Sequence, residues 1–321
     1  MFGTRWVSLL FDKLARDCGV RLICVDRPGF GGSTSVPLEL RMNVWLETVP
    51  ALLERLQVEH VALLTHSAGA VYTLNTLIHH RRFLDPVTPF VGFIAPYVPF
   101  TLSGANVTSA LSHLPTAMID GFAGLTTFIR KNVVPSAVWS GSIVSSSAAY
   151  LTSRGIDNPE GQVSTTVTPS EQYGFDEEIS KLIEKLSTEY QLAENNTGAN
   201  EEAKLCLRKC DDAAWGDAAD YKGCIRRIVA IEATIHQNRG GDGKLKIESY
   251  FAASDLLVAK GGQTYFEQCW RDQNTDSAVD FTSTTMPDTD HDSVLADLRK
   301  GAVKTIFEQI ASLHASGQNQ V

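Results

Sequence analysis

His60-Val-Ala-Leu-Leu64, Thr65-His66-Ser67-Ala68-Gly69 and Ala70-Val-Tyr-Thr-Leu-Asn-Thr-Leu-Ile78 follow one another without a break. The first stretch is an apolar run of buried-strand length, the last has a helical pattern, and the five residues between them set a serine on a sharp turn. Such a turn lifts the Ser67 hydroxyl clear of both flanking elements. That hydroxyl is unreactive at neutral pH unless a base lies within hydrogen-bond reach and backbone donors face the oxyanion that forms on attack. The turn needs small residues two positions to either side of the serine. Gly69 meets that need, and Thr65 is a larger stand-in for glycine. Alone, the five residues fit equally well an ordinary strand-to-helix turn in which Ser67 is a local cap, so the flanking sequence has to decide.

Upstream, Val20-Arg-Leu-Ile-Cys-Val25 reads as a strand and ends in the turn-rich loop Asp26-Arg27-Pro28-Gly29-Phe30-Gly31-Gly32-Ser33. Trp45, Leu46, Val49, Leu52, Leu53 and Leu56 recur at three and four and predict a helix with one apolar face. Strand, loop, helix, strand, turn, helix is the alternation of a parallel α/β sheet, whose ligands bind beyond the carboxyl ends of the strands. Ser67 falls at such an end. The three glycines at 29, 31 and 32 follow a strand, but Pro28 and the missing third spacing argue against a nucleotide-binding loop.

Through the loop Asp26 to Ser33 and the elbow Thr65 to Gly69 the chain resembles the α/β-hydrolase family. The resemblance implies a mostly parallel sheet flanked by helices, a helical cap inserted after the strand that follows the elbow, and an acid and a histidine later in the chain. Lys244-Leu-Lys-Ile-Glu-Ser-Tyr-Phe251 alternates as the strand after such a cap, and Asp255 follows it as the expected acid. Its alternative role is a turn former or the cap of a helix through Tyr265, Phe266 and Trp270. An acid placed one strand after the nucleophile is disfavoured, because Phe90-Val-Gly-Phe-Ile-Ala95 is followed by Pro96, Tyr97, Val98 and Pro99.

Val279 to Ser283 reads as one more strand, and the loop Met286-Pro-Asp-Thr-Asp290 delivers His291 ahead of a helix with Val294, Leu295, Leu298, Val303, Ile306 and Phe307 as apolar positions. The chain order Ser67, Asp255, His291 matches the family, with His291 as the base. Seven other histidines compete. His66, next to the serine on the turn, is expected to project away from the hydroxyl. His79 and His80 end a helix, and His60, His113, His236 and His314 have no motif around them.

For the oxyanion, the resemblance implies one donor from Ala68 and a second from the loop that Met1-Phe2-Gly3-Thr4-Arg5-Trp6 would continue, with Phe2 or Met1 as the donor. The family's first three strands would precede Met1, leaving five strand candidates here. Losing one oxyanion donor costs ~2.7 to 4 kcal/mol of transition-state stabilisation. Two readings therefore stand side by side: a serine hydrolase acting on an apolar acyl compound, and an impaired homologue that binds a small molecule. The serine argues against relatives that use an aspartate nucleophile.

Residues 1–96 and 244–321 are expected to form the core, and 97–243 the helical cap. Thr101 to Ser153 has Phe122, Leu125, Phe128, Ile129 and Trp139 as bulky positions and reads as a lid or as packing between cap helices. Ile179, Leu182, Ile183, Leu186 and Tyr190 share a helix face expected to dock on something apolar, Glu194 to Glu202 reads as a polar loop or disordered tip, and Cys224 to His236 as another helix. At 321 residues and 43% hydrophobic the chain can bury a large core. A net charge of −9 argues against nucleic acid or an anionic membrane as the main partner. The chain shows no apolar run of membrane-spanning length and no leader pattern, which makes cytoplasmic the default expectation. The six cysteines are dispersed without metal spacing and read as reduced thiols. No cofactor or metal is expected. Asn106-Val-Thr108 and Asn195-Asn-Thr197 match a glycosylation pattern that matters only in a secreted chain.

Overall fold

A computed structural model describes residues 4–119, 174–238, 243–273 and 278–318. Four strands, β1 (Leu63–His66), β2 (Phe90–Ile94), β3 (Leu245–Ala252) and β4 (Val279–Met286), form a parallel sheet in that order. The register pairs Thr65 with Phe93, Phe93 with Ser249 and Ser249 with Ser283. Each link between parallel neighbours is a crossover, and all four strands end on one rim of the sheet.

Burial on both faces explains the apolar strands. Val91 and Phe93 of β2, with Leu245, Ile247 and Phe251 of β3, enter one core with Trp215, Phe266 and Trp270. Phe90, Ile94, Tyr250 and Ala252 point the other way, into a core built on Leu10, Phe11, Ile306 and Phe307. This two-residue alternation between two buried faces is what a helix-flanked parallel sheet demands.

The principal helices are α1 (Arg41–Leu56), α2 (Gly69–His79), α3 (Glu177–Ala193), α4 (Thr197–Cys206), α5 (Tyr221–Asn238), α6 (Ala259–Arg271) and α7 (Val303–Gln318). Four sequence expectations change. Val20 to Val25 is not a strand: among the described residues it makes no ladder with β1, and Val20 and Leu22 instead pack on the core around Ile306. Val20 and Leu22 bury surface by packing without a ladder, which strand propensity cannot distinguish from pairing. The described sheet thus has four strands rather than five. Glu194 to Glu202 is not a loop throughout, because α4 begins at Thr197. The Asn195 Oδ1 accepts the Thr197 N–H at 3.1 Å and its hydroxyl at 2.9 Å, so the polar residues that read as loop form the helix start.

The last helix is broken into a short turn, Ser293–Ala296, and α7. Asp297 accepts the Arg299 N–H at 2.9 Å, and a Cβ at Gly301 would lie 2.5 Å from the Asp297 carbonyl oxygen. Local polar bonding at the break outcompetes the apolar periodicity that ran across it. Finally, the apolar face of α3 is only partly covered. Ile183 packs on the core with Leu10 and Phe11, and Tyr190 stacks on Trp6 at 5.0 Å, but Ile179 and Leu182 are exposed. The bulky positions from Phe122 to Trp139 lie outside the described residues.

A buried ion cluster ties α4 to the core. Arg27 grips the Glu202 carboxylate with two donors, Nη2 to Oε2 at 2.6 Å, while Arg41 reaches Oε1 at 3.2 Å and the Pro28 carbonyl at 2.6 Å. Glu202 and Arg41 are almost wholly buried. Burial opposes the Glu202 charge, but the Arg27 charge and hydrogen bonds overcome it and hold the carboxyl below its ordinary range. Breaking a buried ion group by removing one partner strands the rest in low dielectric. Glu202→Gln is expected to lower unfolding free energy by about 3 to 5 kcal/mol in urea titrations, with an unchanged m value.

Candidate active site

The elbow is real. Ser67 follows β1 with φ of 53°, the left-handed region that a non-glycine residue enters at a cost of about 1 to 3 kcal/mol. Three backbone bonds hold it there. Its N–H donates to the Ile94 carbonyl, and its own carbonyl accepts from the N–H groups of Ala70 and Tyr97, all at 3.0 Å. The small-residue requirement is visible at Gly69, where a Cβ would meet the Thr65 Oγ1 at 2.3 Å. Thr65 has therefore taken the space that a side chain at 69 would use.

The other two expected residues arrive from the same rim. Beyond β3 and β4 the pairing continues for two more bonds, Ala253 N–H to the Met286 carbonyl at 3.2 Å and Ser254 N–H to the Thr289 carbonyl at 3.0 Å. These draw the two loops together. Asp255 Oδ1 accepts the N–H groups of Leu257 and Val258 at 2.8 and 2.9 Å, which leaves Oδ2 for His291 Nδ1 at 2.7 Å. His291 Nε2 lies 2.9 Å from the Ser67 Oγ. The Asp290 carboxylate closes the histidine loop by accepting from the Ser293 N–H at 2.8 Å and its hydroxyl at 2.7 Å.

These contacts fix the proton positions. A carboxylate only accepts, so Nδ1 of His291 carries hydrogen and Nε2 is free to accept from the serine hydroxyl. Burial disfavours a charge on His291, yet the Asp255 carboxylate, its hydrogen bond and the Asp292 charge outweigh it and raise the imidazole above its ordinary range. Burial alone would likewise push Asp255 up, but His291 and the two loop N–H groups hold it below the usual carboxylate range. Among the described residues the Ala68 N–H, at the start of α2, has no hydrogen-bond partner. The second expected donor, Phe2, lies outside the described residues, as does Met1.

Sequence reasoning thus named the three side chains that the fold brings together. It missed what holds them. Tyr97 supplies a backbone donor to Ser67 from the loop after β2, and backbone bonds leave no trace in residue type. The His66 Nε2 meets the carbonyl oxygen of His291 at 2.7 Å, and its ring stands beside the His291 ring. Its place beside the serine was the one available signal. No group of residues among those described could hold a metal ion, and no described helix is long and apolar enough to cross a membrane.

The sequence pattern of the alpha/beta hydrolase family matches residues 2–186, more than half of the chain. The chain belongs to that family. No curated protein matches it by sequence. Among solved structures, it is similar to an epoxide hydrolase from Vigna radiata (TM-score 0.54, 14% identity, 98% of this chain and 89% of that one). It is also similar to a structure from work on carboxylesterases of Nitrososphaera gargenis (0.52, 10% identity, 99% and 88%). A third is the enol-lactonase from Burkholderia xenovorans LB400 (0.51, 10% identity, 98% and 88%). At these identities the likeness is one of fold.

Two outcomes follow from the geometry. Gly69→Ala is expected to cost about 1 to 3 kcal/mol of stability by overpacking, and less than about 1 kcal/mol when Thr65→Ala is already present, as a double-mutant cycle in urea will read. The His291 imidazole is expected to titrate above the reference value of 6.5, with Asp255→Asn moving the midpoint down, followed by its ring-proton resonances. The stabilisation linked to His291 is then complete below 6.5 and lost as pH climbs through the raised folded value. That linked to Asp255 is complete above 3.8 and lost as pH falls through its lowered one.

Proposed function

We propose that the protein is a serine hydrolase that cleaves an ester, thioester or related acyl bond of an apolar small molecule through an acyl-enzyme intermediate, without a cofactor. The observation that carries this is the unbroken relay from Asp255 through His291 to the Ser67 hydroxyl, at 2.7 and 2.9 Å, on a strained elbow. In this reading the Ser67 Oγ bonds to the substrate carbonyl carbon while its proton passes to His291 Nε2. The tetrahedral oxyanion is held by the Ala68 N–H, with the Phe2 region as the second donor. Collapse breaks the bond to the leaving group, which takes the proton from His291. Water, deprotonated by the same imidazole, then releases the acid and restores Ser67.

Residues 97–243 form the cap in this reading, covering a core made of 1–96 and 244–321. Two contacts support it: the Arg27, Arg41 and Glu202 cluster, and the Trp6 Nε1–H donated to Glu194 at 2.9 Å, both joining the inserted stretch to residues of the amino-terminal part. The reading takes the substrate to be a free small molecule rather than a nucleic acid or a membrane-embedded chain, in keeping with the net charge of −9. Six free cysteines suit a reducing, cytoplasmic compartment.

A fluorophosphonate probe tests the nucleophile. Covalent labelling of the folded chain, abolished in Ser67→Ala, is the expected result, and a folded chain that stays unlabelled would falsify the reading. On a short-chain aryl ester, Asp255→Asn is expected to lower kcat by roughly 10⁴-fold through the wrong imidazole tautomer.

A further inference from the structure

His66 is the last residue of β1, and its ring lies beside that of the proposed base, with centroids 4.8 Å apart and planes tilted by 44°. Its Nε2 faces the backbone carbonyl of His291 at 2.7 Å. A carbonyl oxygen only accepts, so His66 carries its proton on Nε2 and donates it. The backbone of His291 is thereby gripped from a strand of the sheet, while its ring is gripped by Asp255 from the loop after β3. The two holds are independent, and with the backbone bonds of the loop they set where Nε2 of His291 points. We propose that His66 is a positioning residue for the base, anchoring the histidine loop to the nucleophile strand through this one side-chain donor; the proposal rests on the hydrolase reading for its kinetic consequence but not for the contact itself.

The residue type fits that task. The donor must reach across the turn from the position next to the nucleophile, and it must do so without bringing a positive charge against an imidazole that becomes charged in each cycle. Lysine or arginine in that place would oppose the proton transfer electrostatically. A neutral histidine supplies the N–H on a flat, rigid ring. Displacing the base by a fraction of an ångström lengthens the bond to Ser67 and affects the step in which the proton moves, not the binding of substrate.

The test compares His66→Met, which keeps bulk without a donor, with His66→Gln, whose amide N–H takes the place of Nε2–H, on p-nitrophenyl butyrate. The Met variant is expected to lose about 10- to 100-fold in kcat with KM within about twofold, and the Gln variant to recover most of the loss. Parent-like kcat in His66→Met, or a Gln variant no better than Met, overturns the proposal. Long-range proton–nitrogen spectra of the unmodified chain give a readout that needs neither folding of the variants nor turnover: position 66 is expected in the Nε2–H tautomer, and an Nδ1–H tautomer overturns the contact. A chain that neither labels nor hydrolyses but shows the Nε2–H tautomer removes the hydrolase reading and leaves the anchoring in place.

Discussion

The backbone of Ser67 is held in the left-handed region by bonds to two neighbours, the Ile94 carbonyl at the end of β2 and the Tyr97 N–H just beyond it, and by the first turn of α2. Nearly everything else at the rim depends on that hold. Left-handed backbone at a non-glycine residue costs about 1 to 3 kcal/mol, whereas each hydrogen bond contributes about 0.5 to 1.5 kcal/mol net. Three bonds together, about 1.5 to 4.5 kcal/mol, are of the size needed to offset that cost, and fewer would leave the turn marginal. The central strand β2, buried along its whole length, is what keeps two of the three partners in place.

Parallel pairing then determines where the relay can form. Ser67, Asp255 and His291 stand at the ends of β1, β3 and β4, so the sheet brings together groups separated by 188 and 36 positions in the chain. The final approach is local. The two backbone bonds that extend the β3–β4 ladder past its end leave the acid and the imidazole at 2.7 Å, a distance set by loop register more than by side-chain flexibility.

Much of this arrangement was legible in the residues because the demands on them are chemical. A tight turn after β1 needs Gly69 beside Ser67, a hydrogen-bonded relay needs an acid and an imidazole, whose places at Asp255 and His291 follow the chain order of the family that the sequence resembles, and buried parallel strands need runs such as Phe90 to Ile94. What escaped the sequence depends on neighbours. Val20 to Val25 has the composition of a strand, but pairing is a property of two chains of backbone, and Val20 and Leu22 pack without it. Glu194 to Glu202 reads as a polar loop until Glu202 is seen between two arginines. A buried carboxylate and an exposed one are the same letter, and only the fold decides which it is.

Two adjacent imidazoles, His66 and His291, differ in charge because their partners differ. At 4.8 Å and an effective dielectric of about 20, two positive rings would repel by about 3.5 kcal/mol, so one of them must remain neutral. His291 faces the Asp255 carboxylate and is raised above its ordinary range, whereas His66 is held well below its own by burial and by His291, with a carbonyl as its partner. A carboxylate favours an imidazolium strongly; one carbonyl oxygen cannot offset the loss of water around a buried ring. The asymmetry of the partners, not of the histidines, favours the charged form at position 291 and the neutral form at position 66. A pair of like groups whose surroundings separate their titration is how acid–base chemistry and structural anchoring can share one small volume.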